Sequence, residues 1–264
     1  AVIYKKLGFV YSRAIETADT AEDFLEHSNR AVKAYKEAAN LFKQIKNLPE
    51  NLECEAEVFY VNGFIAGSVL EGKNAYNKSF KLFIKSSEYY SEDDNQENLA
   101  RILSRAAMVS SQKSLYLDDR RELEEFHQKC RESLKKALKF SKNVENVQFL
   151  SESIFSEGML NSIPILITLF QKDEQYKKYL EKLFLRIDES LRLTEASKDP
   201  RSLGWIYFTH GNLSCMYANF FIEEEREQRK AFDKGLELLE QALDFSRKAK
   251  MKIQIVLSLF WINW

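Results

Sequence analysis

Small residues recur in two columns with a period near fifty, and no other feature narrows the fold as much. Gly8, Gly63, Ala106, Gly158 and Gly211 follow one another at intervals of 55, 43, 52 and 53 residues. In the second column a small residue is followed three positions later by an aromatic or aliphatic one: Ala39/Phe42, Ser87/Tyr90, Ala137/Phe140, Ser190/Leu193 and Ala242/Phe245, at intervals of 48, 50, 53 and 52. Two independent columns on one period mark a repeated two-element unit. A glycine inside a helix is unfavourable by about 1 kcal/mol relative to alanine, and it persists where a neighbouring backbone comes close. The chain holds only 8 glycines, and four of them fall in the first column.

The elements of the unit are helices. Phe232, Leu236, Leu239 and Leu243 form one apolar stripe at helical spacing; Leu123, Phe126, Cys130, Leu134 and Leu138 form a second, and Tyr176, Leu180, Leu183, Ile187 and Leu191 a third. With 8 Gly and 3 Pro in 264 residues, the chain is far below the roughly 12% of average usage, too few for the turns a sheet protein consumes. Asp199-Pro200 is a cap followed by proline at the first helical position, and Asn47-Leu48-Pro49 separates two helices. Acidic clusters at Ser91-Glu92-Asp93-Asp94, Asp118-Asp119, Asn143-Val144-Glu145 and Lys172-Asp173 mark further starts. Helices are predicted near 2–18, 21–46, 50–70, 73–91, 95–116, 119–142, 146–170, 174–197, 200–223 and 226–249, with an eleventh from about 251. The expected fold is all-α: an α-solenoid of about five antiparallel hairpins in one domain, with units near 1–47, 48–92, 93–143, 144–198 and 199–250 and a partial unit at 251–264.

The first helix reads Tyr4-x-x-Leu7-Gly8-x-x-Tyr11, and its partner carries Ala31, Tyr35 and Ala38, with Pro49 following. This resembles the tetratricopeptide (TPR) repeat. Phe59/Gly63, Ile154/Gly158 and Tyr207/Gly211 keep the residue four before glycine. The departures are a period near 50 where the family has 34, helices about two turns longer, and Asn62, Arg105, Glu157 and His210 where the family's leucine stands. The resemblance implies a right-handed superhelix that binds proteins or peptides and has no active site.

By the same resemblance the first helix of each unit lines a groove. Its face opposite the packing stripe holds Glu57, Tyr60, Phe64, Leu103, Ser110, Phe155, Met159, Trp205, Phe208 and Asn212. So apolar a surface suits an amphipathic helix or hydrophobic peptide; the alternative is that these residues are core in helices covered on both sides. The polar column Asn62, Arg105, Glu157 and His210 either orients a ligand, with Arg105 pairing its carboxylate, or forms an inter-repeat ladder. Pro164 is expected to kink the seventh helix and change the pitch of the stack.

Other chemistry finds little support. Asp93-Asp94-x-x-Glu97 and Asp118-Asp119-x-x-Glu122 resemble the acidic magnesium-diphosphate motif of all-α terpenoid synthases, but they stand where helix caps are expected. They sustain an all-α enzyme only as the least favoured reading. His127-x-x-Cys130 has no second ligand pair near it in sequence, and no phosphate loop or nucleophile motif occurs. Thus no cofactor and no metal are expected. Net charge is −1, with 39 basic and 40 acidic residues interleaved, which argues against nucleic acid. Three scattered cysteines form no disulfide framework and fit a reducing cytoplasm, and no apolar run reaches the ~18 residues of a membrane span. The apolar segment Ile255–Trp264, with two tryptophans, is the opposite of a polar solenoid cap. It reads as the start of a further unit in a longer protein, or as a surface for self-association. The expectation is a non-catalytic interaction scaffold or regulatory arm, with a peptide-sensing regulator of the helical-repeat type as the alternative.

Overall fold

A computed structural model describes residues 1–92, 94–114, 117, 120–166 and 174–263. Among them are eleven helices and no strand. The chain divides into two compact units, 1–144 and 145–264. The first holds α1 (Val2–Ile15), α2 (Ala21–Gln44), α3 (Leu48–Phe64), α4 (Val69–Ser87), α5 (Gln96–Ser114) and α6 (Arg120–Asn143). The second holds α7 (Val147–Leu166), α8 (Glu174–Ser197), α9 (Pro200–Phe221), α10 (Glu225–Lys248) and α11 (Lys252–Asn263). Helices pack as sequence-adjacent hairpins, and each hairpin packs on the next within its unit. In the first unit α2 lies between α1 and α3 over a core of Tyr35, Phe42, Cys54 and Val58. Likewise α4 lies between α3 and α5 over Tyr60, Tyr76, Phe83 and Ile102.

Caps set the helix starts. The hydroxyl of Thr20 accepts from the Asp23 amide at 3.0 Å, and the Asp199 carboxylate accepts from the amides of Arg201 and Ser202. Asn47 caps α3, with Pro49 in the first turn where no amide bond is lost. The fourth helix begins at Val69, four residues before the expected start near 73. The reason is a capping box in Ser68-Val69-Leu70-Glu71: the Glu71 amide donates to Ser68 Oγ, and the Glu71 carboxylate accepts from the Gly67 amide.

At four junctions between a second helix and the next first helix, a non-glycine residue takes the left-handed conformation: Lys46 (φ 57°), Glu145 (52°), Lys198 (57°) and Lys250 (56°). Amides three residues past the last helical residue reach back at two of them, Asn47 to the Phe42 carbonyl and Met251 to that of Ser246, each at 2.9 Å. This is the Schellman closure, usually made by glycine. The interval from Glu145 to Lys198 is 53 residues and that from Lys198 to Lys250 is 52, so the junction repeats on the period of the small columns.

The glycine column marks close approach. A Cβ on Gly8 would stand 2.7 Å from the Tyr35 ring, and one on Gly63 2.5 Å from that of Tyr76. Both tyrosines belong to the partner helix of the same hairpin. In the α9–α10 hairpin the approach is backbone to backbone, with a Cβ on Gly211 falling 2.8 Å from the Gly235 carbonyl oxygen.

The two kinds of helix differ in how they are covered. Second helices bury one stripe; in α10 it is Gly235, Leu238, Leu239, Ala242, Leu243 and Ser246. First helices α3, α5, α7 and α9 are buried on nearly every face along their middles. Their many serines satisfy themselves within the helix: Ser104, Ser110 and Ser111 donate to carbonyls three residues back, Ser153 and Ser156 to those four back. Small self-satisfied side chains let neighbouring helices approach from several sides.

Candidate interaction site

The residues expected to line a groove are placed mostly in the interior. Tyr60, Leu103, Arg105 and Ser110 of the first unit are buried, as are Phe155, Glu157, Trp205, Phe208, His210 and Asn212 of the second; Asn62, Phe64 and Met159 are half-buried. The structure groups them into separate clusters.

In the first unit the cluster is charged. Arg105 donates to Glu57 through Nε and Nη2, both at 2.7 Å, and its guanidinium lies over the Tyr60 ring at 4.5 Å. Both members of the pair are under a tenth exposed. The bidentate geometry is the one Arg105 was expected to offer a ligand carboxylate, and here the chain's own Glu57 occupies it. One turn along α3, Glu53 pairs with Arg101, and Lys5 of α1 bridges Glu50 at 2.6 Å and Glu53 at 2.9 Å. Burial alone would raise the Glu50 carboxyl, but Lys5 and Arg101 outweigh it and hold it below its ordinary value. A ladder of charge therefore joins α1, α3 and α5. An inter-repeat ladder through Arg105 was one of the two alternatives the polar column left open; its carboxylate partners were not foreseen, although a signal was present: Glu53 and Glu57 stand 48 residues before Arg101 and Arg105, close to one repeat period. Tyr60 also meets Phe64 edge-on at 4.9 Å and Tyr76 at 6.1 Å.

In the second unit the cluster is aromatic, with one ion pair at its edge. Phe155 of α7 packs on Trp205 of α9 at 4.1 Å between ring centres and on Phe208 at 6.3 Å. Glu157 accepts from Tyr179 and Arg186 of α8; burial raises its carboxyl, and Arg186 only partly opposes this. His210 lies beside the Phe184 ring, with Nδ1 3.8 Å from the Asp188 carboxylate, beyond hydrogen-bond range. Burial pushes its pKa down, Asp188 opposes, and Lys234 adds to the lowering. Asn212 Oδ1 and His210 Nδ1 are buried with no hydrogen-bond partner.

Two further observations bear on function. First, apolar side chains are exposed on second helices: Leu25 of α2 is 49% and Leu185 of α8 70% exposed. Second, Asp93, Asp118 and Asp119 lie outside the described residues, as do the side chains of His127 and Pro164; α7 itself continues to Leu166. Glu122 is ion-paired to Lys73 at 2.7 Å, and Asp94 bonds Ser91. Among the described residues no group of three His, Cys, Asp or Glu could hold a metal ion, and no helix is long and apolar enough to cross a membrane. Cys54, Cys130 and Cys215 are buried and none is in a disulfide.

No protein-family model matches the chain, and no curated protein matches it. Among solved structures it is similar to a circular tandem repeat protein with novel repeat topology and enhanced subunit contact surfaces, at 13% identity and a TM-score of 0.42. That alignment covers 99% of this chain, which spans 63% of the other's length. The chain is an all-α helical-repeat protein, as its own hairpin pairing and recurring junctions require.

Proposed function

We propose that the chain is a non-catalytic scaffold or regulatory arm of the TPR-like kind, a single repeat domain whose partners are proteins or peptides, working in the cytoplasm as part of a longer protein. The observation that carries this reading is the stack of sequence-adjacent hairpins whose first helices are sealed while their second helices keep an open outer face, with Leu25 of α2 and Leu185 of α8 49% and 70% exposed. The test places a photo-crosslinking amino acid at Leu25, at Leu185 and, as a control, at the exposed Lys36 of α2 in cells that express the protein. Discrete protein adducts at 25 and 185, absent at 36, support the reading; their absence at both sites overturns it.

A second reading is favoured by one observation in the second unit. Asn212 Oδ1 and His210 Nδ1 are buried without partners, and groups in that state gain from a ligand that bonds them. A peptide-sensing regulator would take a short peptide there, with Phe155, Glu157, Met159, Trp205 and Phe208 around it, or at Tyr60, Asn62, Phe64 and Arg105 in the first unit. Entry would require helices to part. Such a peptide raises the melting temperature of the wild type by mass action and leaves that of Asn212→Leu unchanged if it binds in the second unit.

A further inference from the structure

Three of the five second helices carry no net charge: α2 has four acids and four bases, α8 five and five, α10 six and six. The other two are basic. α4 has four lysines against Glu71 alone, and α6 from Arg131 to Asn143 has five cations against Glu132 alone. These two helices stand side by side in the first unit. Lys73 pairs with Glu122 at 2.7 Å near their starts, and Phe80 meets Phe126 at 6.0 Å between ring centres. Glu92, just past the end of α4, reaches Lys136 of α6 at 2.8 Å and Lys139 at 3.5 Å. A chain with a net charge of −1 thus gathers cations on one pair of neighbouring helices.

The cations stand in two rows at helical spacing. Lys78, Lys81 and Lys85 of α4 are at i, i+3 and i+7, and Arg131, Lys135 and Lys139 of α6 at i, i+4 and i+8; all six are exposed. Lys78 lies over the Phe59 ring at 4.2 Å, and none of the three α4 lysines has a carboxylate in ion-pair range among the described residues. Like charges so spaced repel one another along a helix, and an anion from outside relieves the repulsion. The chain itself shows how a carboxylate sits here: hydrogen bonds and charge from Lys136 hold the Glu92 carboxyl below its ordinary value. That pair is exposed on both sides, so displacing it costs little.

We infer that the outward face of α4 and α6 binds an acidic segment of a partner protein, its carboxylates at helical spacing set against the two rows of cations. A membrane would ask for apolar side chains beside the cations, and none is exposed along 78–85 or 131–142. Nucleic acid would ask for arginine forks on phosphate, and five of the six cations are lysines. The inference goes beyond the scaffold reading by naming the chemistry of one partner and the face that meets it.

The test measures fluorescence anisotropy of a labelled peptide of about three helical turns with glutamates at i, i+4 and i+7, beside the same peptide with glutamines. The 264-residue chain is compared with Lys81→Glu/Lys85→Glu/Lys135→Glu and with Lys33→Glu/Lys36→Glu/Lys43→Glu, which makes the same charge change on α2. Circular dichroism checks that both keep their helices. The wild type is expected to bind the glutamate peptide alone, more weakly as salt rises from about 0.05 to about 0.3 M. The α4/α6 variant should bind about tenfold more weakly or worse, and the α2 variant within about twofold of wild type. A wild type that does not bind, or an equal loss in both variants, overturns the inference. Duplex DNA or phosphatidylserine vesicles bound more tightly than the peptide, and lost in the α4/α6 variant, overturn it in favour of nucleic acid or a membrane. Each of these failures leaves adducts at 25 and 185, and with them the scaffold reading, intact.

Discussion

The two units solve the same packing problem with different interior chemistry. Each contains first helices buried on nearly all sides, and each must carry polar groups through its interior. The first unit pairs them: Glu57 with Arg105, and Glu50 and Glu53 with Lys5 and Arg101. The second pairs Glu157 with Arg186 but leaves more neutral groups without partners, at Asn212, His210, Gln254 and Ser258, than the first, where His27 Nδ1 and Ser141 Oγ stand so. A buried ion pair with matched geometry specifies a register but is fragile to the loss of one partner. A buried neutral group without a partner weakens the fold where it stands, and the same deficit makes that place receptive to something else.

The comparison breaks most easily at Arg105. Arg105→Met leaves Glu57 buried and unpaired, and urea unfolding should show a loss of about 3–5 kcal/mol in the first unit. The double variant Glu57→Leu/Arg105→Met should regain most of it, because the uncompensated charge, not the lost attraction, carries the penalty. If the single change is mild, the ladder is not what holds α3 to α5.

Next in size is Gly211→Ala. Its Cβ would meet fixed backbone, 2.8 Å from the Gly235 oxygen and 2.9 Å from the Leu239 nitrogen. Overpacking of this kind costs about 1–3 kcal/mol, read as a lower melting temperature. Asn212→Leu should act in the opposite direction, stabilising the second unit by about 1–2 kcal/mol, since it removes an unsatisfied buried group of similar size. Destabilisation there would mean that Asn212 has a role in the fold that the hydrogen bonds do not reveal.

The smallest expected effect is in pH dependence, where the units should differ in sign and window. His210 has a lowered pKa in the folded state, so the unfolded chain takes up the proton first. Its contribution is present above 6.5 and is lost as pH falls from 6.5 through the lowered value. Glu157, whose pKa is raised, works against this: the folded state takes up its proton first, and stability is gained as pH falls toward 4.5. The Glu50 contribution in the first unit, with a lowered pKa, is lost only as pH falls below 4.5. Thermal melts of wild type and His210→Phe between neutral pH and pH 5 isolate the histidine: the variant should lose the downward slope.

Most helices were legible because each second helix has one apolar stripe and several starts have a cap, as at Asp199-Pro200 and Asn47. The capping box at Ser68 was hidden inside an apolar run, so α4 was expected to begin four residues late. The recurring left-handed junctions were invisible for a different reason. Lys46, Glu145, Lys198 and Lys250 are not residues that announce a positive φ; their conformation is imposed by hairpins closing on either side. The interior placement of Tyr60, Phe155, Trp205 and Phe208 was equally hard to foresee. An aromatic face on a helix is the same string of letters whether it lines an open groove or meets another helix.

Local chemistry in the sequence determined the all-α class, the hairpin unit, its period near fifty and the glycines where helices touch, because periodicity, capping and close approach act within a turn or two of helix. Only the tertiary structure decided which polar residues found partners, and that Arg105 takes Glu57. Those outcomes depend on which side chains from distant repeats arrive at the same place, and no window of contiguous sequence contains that information.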